Sequence, residues 1–150
     1  MNAYPTRPQR LDFAEDSFNP AVDPVRKGST FIRTINVEGI DLTGHEIQMS
    51  VKESYTSDPI LFFDSAETDI EKERIEITVY DDFSTIQLII PHTVTELLDA
   101  GDGQCKPRRK KYHYDMETVT PSLEVYAILE GDFFIVDELT TEETSGVVTI

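Results

Sequence analysis

The chain has little of what usually anchors a function to a sequence. Of its 150 residues one is cysteine, none is tryptophan and three are histidine. With Cys105 alone there is no internal disulfide and no need of an oxidising compartment. The sequence assigns it no histidine or acidic partner, as an activated thiol requires. His45, His92 and His113 lie far apart and share no ligand spacing, so a zinc site has no support. All three are expected beside turns, facing solvent. Basic residues are scarce too: 13 against 29 acidic ones, a formal net charge of -16. Such a surplus repels phosphate backbones and anionic membranes, which argues against both as general partners. No apolar run approaches the roughly 20 residues that span a bilayer. The opening "MNAYPTRPQRLDF" lacks the apolar stretch of a cleaved signal, so a soluble chain not exported by that route is expected.

Signatures of catalysis are missing as well. There is no G-x-S-x-G elbow, no glycine-rich phosphate loop and no nucleophile with an evident base. Asp81 with Asp82, and Asp99 with Asp102, are carboxylate pairs, but "DAGDG" lacks the spaced oxygens and distal glutamate of an EF-hand. Glycoside hydrolysis needs two carboxyls at a set separation, and 29 acids offer too many pairs to single one out. A non-enzyme is expected, with no catalytic residue, no metal site and no cofactor.

What is present is a globular composition, 39% hydrophobic and 28% charged, in a length that suits one domain. Residues 1–28 hold Pro5, Pro8, Pro20 and Pro24 without any sustained period, which reads as an extended N-terminal arm. Its spaced Leu11, Phe13, Phe18 and Val22 make it a candidate strap laid on a neighbouring subunit. From Ser29 the pattern changes to period two: "FIRTINV" aligns Phe31, Ile35 and Val37, and "EIQMSVK" aligns Ile47, Met49 and Val51. Between them "EGIDLTGHE" reads as a hairpin-type connection with Leu42 in the core. "DPILFFDS" reads as a short strand followed by a polar loop, and "RIEITVY" with "TIQLIIP" as a hairpin turning at Asp81 to Ser84.

In "PHTVTELLDAGD", Thr93 and Glu96 have capping-box spacing, Val94, Leu97 and Leu98 form a stripe, and Gly101 can end the helix. "YHYDMETV" turns Tyr112, Tyr114 and Met116 to one side, and "LEVYAILEGDFFIV" reads as a strand pair broken at Gly131. The expected fold is all-β: an antiparallel β-sandwich of about seven to nine strands with one short helix. Its divisions are an arm over 1–28, a sandwich domain over 29–140, and a tail or edge strand over 141–150.

Against the acidic background, Arg108, Arg109, Lys110 and Lys111 stand consecutively. They read as a solvated loop between helix and strand, with use as a patch that docks an acidic protein surface, and not as a phosphate contact.

The order of "GSTFIRTINVEGIDLTGHEIQMSVKE", "TIQLIIPHTVTELLDAG", "YHYDMETV" and "LEVYAILEGDFFIVDELT" resembles a family of small bacteriophage virion proteins, similar to the β-sandwich at the N-terminus of upper baseplate proteins. The shared features are a strand leading to Asp-Leu-Thr-Gly, a helix ending in glycine, a Tyr-Asp-Met-Glu strand, and a final hairpin carrying Leu-x-Gly. They cover about residues 28–140. "DGQCKPRRKK" is longer and more basic than the usual glycine-to-tyrosine connection, and the arm is additional. The resemblance implies a structural adaptor of the tail, neck or baseplate, present in several copies in a symmetric assembly with other virion proteins. It implies location in the virion after assembly in the host cytoplasm, and it brings no catalytic residues. A reading from another class is a host-surface carbohydrate or receptor-binding module, for which Tyr55, Tyr80, Tyr112, Tyr114 and Tyr126 are the available aromatics.

Overall fold

The computed structural model describes residues 2–14, 22–103, 108–137 and 147–150. Among them the chain forms strands β1 (Gln9–Arg10), β2 (Val25–Arg26), β3 (Phe31–Val37), β4 (Glu46–Lys52), β5 (Leu61–Asp64), β6 (Arg74–Val79) and β7 (Ser84–Ile90). A short helix α1 (His92–Thr95) follows, then β8 (Arg108–Val119), β9 (Val125–Asp137) and β10 (Val147–Thr149). One sheet runs β1-β9-β8-β4-β5, with β2 also on β9, and the other runs β10-β3-β7-β6. The all-β sandwich-like fold expected from alternation is therefore present. Both sheets are mixed, because β1 and β2 run parallel to β9 and β10 runs parallel to β3.

Alternation explains the core. Phe31, Ile35 and Val37 of β3, with Ile86, Leu88 and Ile90 of β7, face Ile47, Met49 and Val51 of β4, Tyr112, Tyr114 and Met116 of β8, and Phe133 of β9 in one continuous cluster. The sheets meet where the Phe31 ring stands edge-on to Phe133, 5.9 Å between centroids. Such tilted arrangements place ring edges against ring faces and add to the stabilisation from burial alone.

The segment between β3 and β4 differs from the hairpin expected. β3 pairs with β7 and β4 with β8, so "EGIDLTGHE" carries the chain from one sheet to the other. Its local chemistry is that of a turn all the same: Asp41 accepts the Thr43 N–H at 3.0 Å and the Thr43 hydroxyl at 2.6 Å. Leu42 is buried there, as expected. β6 and β7 do form the predicted hairpin.

Gly131 does not break a strand pair. β9 runs unbroken through it, and the glycine serves another purpose: a Cβ at this position would lie 2.2 Å from the Leu11 carbonyl oxygen and 2.8 Å from Asp12 Oδ1. The arm occupies that space. The helix is also shorter than its stripe suggests: Leu98 is buried, but Leu97 is exposed. No side chain caps its first turn, and Gly101 follows at φ +94°.

The arm itself lies on this chain's own sheet. Gln9 and Arg10 pair with Leu129 and Glu130, Phe13 bridges to Phe133, and Val25 and Arg26 pair with Ile135 and Val136. Together these segments make an interrupted edge strand along β9. Its backbone bonds, Leu11 N–H to Glu130 O at 3.0 Å and Phe13 N–H to Asp132 O at 2.9 Å, satisfy β9 carbonyl acceptors that an open edge would leave to water. At the other end of the chain, residues 147–149 do form an edge strand, beside Thr34–Asn36.

Candidate functional site

The residues expected to bind partners fall into two groups, and the fold uses both internally. Phe13 has no exposed surface and packs 5.7 Å from the Phe133 ring and 5.4 Å from the Tyr114 ring. Val22 is buried and Leu11 is half-buried against the same cluster. Phe18 lies outside the described residues. For Leu11, Phe13 and Val22 the strap on a neighbouring subunit is thus corrected to a strap on the chain's own sandwich, because Phe13 is fully buried among Phe31, Tyr114 and Phe133 of the same chain.

Arg108, Arg109, Lys110 and Lys111 begin β8 and do not form a loop. Alternation continues through them: Arg108 and Lys110 are half-buried, whereas Arg109 and Lys111 are exposed. Lys110 Nζ bridges Asp99 at 3.0 Å and Glu53 at 3.1 Å, joining the segment after α1 to the one after β4. These two carboxylates raise its pKa, the Asp99 hydrogen bond most. Asp99 in turn is held below the usual carboxylate range, chiefly by the Gly101 N–H and then by Lys110. Arg108 donates to the Gly103 carbonyl at 2.8 Å and stands 3.8 Å from Asp137, while the Arg109 guanidinium lies 5.1 Å from the Phe134 ring centroid. Much of the local charge is therefore balanced within the molecule.

His45 departs from the solvent-facing position expected of it. It is buried, with Nδ1 3.0 Å from the Thr43 carbonyl and Nε2 hydrogen-bonded to the Tyr4 hydroxyl. Tyr4 stacks on Tyr126 at 4.2 Å, so the first residues of the arm close one end of the sandwich. Among the described residues no group of three or more His, Cys, Asp or Glu side chains is placed to hold a metal ion. No helix among them is long and apolar enough to cross a membrane.

Two surface features were not singled out in the sequence. The first is the sandwich edge where β5 ends one sheet and β6 ends the other and the two strands lie against each other. It exposes Ile60, Phe62 at 45%, Ile70 at 73% and Val79, with the stacked Tyr80 and Phe83 at the β6–β7 turn. The signal was available: in "LFF", Leu61 and Phe63 point inward, so the intervening Phe62 is an apolar residue on an outward position.

The second feature is a groove of about 380 Å³ on the outer face of the larger sheet, lined by residues of β1, β8 and β9 and by Lys52 and Tyr55. Of the five tyrosines considered as a sugar platform, Tyr112 and Tyr114 are core residues, and burial pushes the Tyr114 hydroxyl pKa up. Tyr126 is half-buried under Tyr4, Tyr80 is at the hairpin turn, and Tyr55 is the exposed tyrosine of this groove, which the buried Tyr114 also lines.

No protein-family model and no curated protein sequence matches the chain. Among solved structures, that of red sea bream transglutaminase is similar to it at 12% identity with a TM-score of 0.45. The similarity covers 77% of this chain and 16% of that one, so the chain spans a small part of that protein's length. At this level the similarity assigns neither activity nor partner.

Proposed function

We infer that the chain is a structural protein of a bacteriophage particle, an adaptor of the tail, neck or baseplate that docks against other virion proteins in several copies. The observation that carries the reading is the β5–β6 edge. Ile60, Phe62, Ile70 and Val79 expose apolar surface there beside Glu67, Glu71, Glu73 and Glu76. Edge strands that end in open apolar surface invite partner contacts. Glu67 is paired with Lys72 and Glu76 with Arg74, and the acidic excess that Glu71 and Glu73 leave favours a partner whose apolar patch carries Lys or Arg at its rim.

The motif order that resembles upper baseplate proteins supports the same reading. Its Asp-Leu-Thr-Gly element forms the sheet-to-sheet connection, and its Tyr-Asp-Met-Glu and Leu-x-Gly elements lie in the paired β8 and β9. In a symmetric ring even a modest patch gains strength, since each copy presents it at high effective concentration. Neither nucleic acid nor membrane is required of such a role.

The test is incorporation. A Phe62→Ser, Ile70→Ser double variant, substituted only at exposed positions, is expected to melt as the parent does. It should be lost from purified particles when it replaces the parent in an infection. Incorporation at the parent level would remove this edge as the docking surface.

A further inference from the structure

The outer face of the larger sheet contains two arrangements that folding alone does not favour. Asp115 of β8 stands directly opposite Glu130 of β9, and like charges facing each other across a ladder are destabilising. Tyr55 holds its ring 90% exposed, parallel to the His113 imidazole with centroids 5.9 Å apart. His113 is itself steadied by Asp132, 3.4 Å from Nδ1. Both arrangements border the same groove. The arm supplies one wall, since Arg10 pairs opposite Glu130 with one guanidinium nitrogen held by Asp12 at 3.0 Å and Asp132 at 3.3 Å, and Lys52 of β4 lies opposite His113.

We propose that this groove binds a saccharide chain, with Tyr55 as the stacking platform and Asp115, Glu130, Arg10 and Lys52 as the groups that contact hydroxyls. A pyranose of the glucose or N-acetylglucosamine type presents axial C–H bonds on its faces and hydroxyls around its edge. The faces match an exposed aromatic ring. The edge matches a site that mixes carboxylates, which only accept, with Arg and Lys, which only donate, because a hydroxyl does both. Paired carboxylates with neighbouring cations suit adjacent hydroxyls better than they suit a polyanion, which the groove's acids and the overall charge of -16 would repel. At about 380 Å³ the groove falls within the roughly 300–1,000 Å³ usual for small-molecule sites. The inference goes beyond the adaptor role, and the isolated chain tests it whether or not that role holds.

The experiment titrates the isotope-labelled full chain with chitohexaose and with cellohexaose while amide NMR shifts are followed. The expected result is a saturable shift with at least one of them at the amides of Lys52, Tyr55, His113 and Glu130, and none with an oligogalacturonate of equal length. Tyr55→Ala is expected to keep the parent's melt and to weaken the affinity by about tenfold, the scale of one aromatic contact. Absence of a saturable shift with both neutral oligosaccharides would overturn the proposal. So would equal affinity in Tyr55→Ala, or shifts confined to the β5–β6 edge.

Discussion

Gly131 shows how one residue ties the arm to the sandwich. It stands opposite Tyr114 in the β8–β9 ladder, and the Tyr114 hydroxyl donates to the Leu11 carbonyl that fills the place of a Gly131 side chain. Asp12 completes the contact by accepting the Asp132 N–H at 2.8 Å. A methyl group cannot be added without moving backbone, so Gly131→Ala is expected to destabilise by about 1–3 kcal/mol, the usual cost of overpacking. Thermal denaturation reads this as a fall of several degrees, and an unchanged melt would mean that the arm does not lie where described.

Two exposed aspartates give a second check at this scale. Asp41, through the Thr43 hydroxyl first, and Asp99, through the Gly101 N–H first, both have pKa values below the ordinary range. The unfolded chain therefore takes up these protons before the folded one does. Their contribution is complete above the ordinary carboxylate pKa and is lost as pH falls through the lower folded values. The melting temperature is expected to drop on acidification below about pH 4, less steeply in Asp99→Asn. A superimposable pH profile for that variant would contradict the assignment.

At the scale of elements, the arm is the point where sequence and structure part most. A chain starting at residue 29 loses Phe13, Val22 and Val25 from the core and uncovers the β9 edge. Removal of Phe13 alone is expected to cost about 3–5 kcal/mol, so the truncated chain should melt far below the parent or lose its cooperative transition. A parent-like melt would show the arm to be an addition to a self-sufficient sandwich.

The reason this was not legible is physical. Two-residue strand segments held by backbone bonds leave no period, whereas seven-residue strands such as β3, β4 and β7 display their inward faces plainly. The four cations hid the start of β8 similarly: Arg108 and Lys110 keep the phase of Tyr112, but charge at every position masks the alternation. The connection through Asp41 and Gly44 reads as a turn either way, since turn chemistry is local and sheet membership is not. Phe62 left only the trace of being apolar where alternation calls for polarity, and Tyr55, in the turn after β4, had nothing to set it apart from the other candidate aromatics.

At the scale of the whole molecule, the arm, the long β8–β9 hairpin and the ends of β5 and β6 distribute distinct tasks over one sandwich. The arm covers one edge of the larger sheet, and the opposite side of the sandwich leaves Phe62 and Ile70 uncovered. That asymmetry suits a body that closes itself on one side and docks on the other. For the proposed virion role, the most direct measurement is quantitative mass spectrometry of purified phage particles from the host in which the chain is expressed, with the major capsid protein as internal standard. The account predicts the chain in every preparation at a fixed small number of copies per particle, a multiple of the tail's rotational symmetry. Absence of the chain from intact, infectious particles would contradict it.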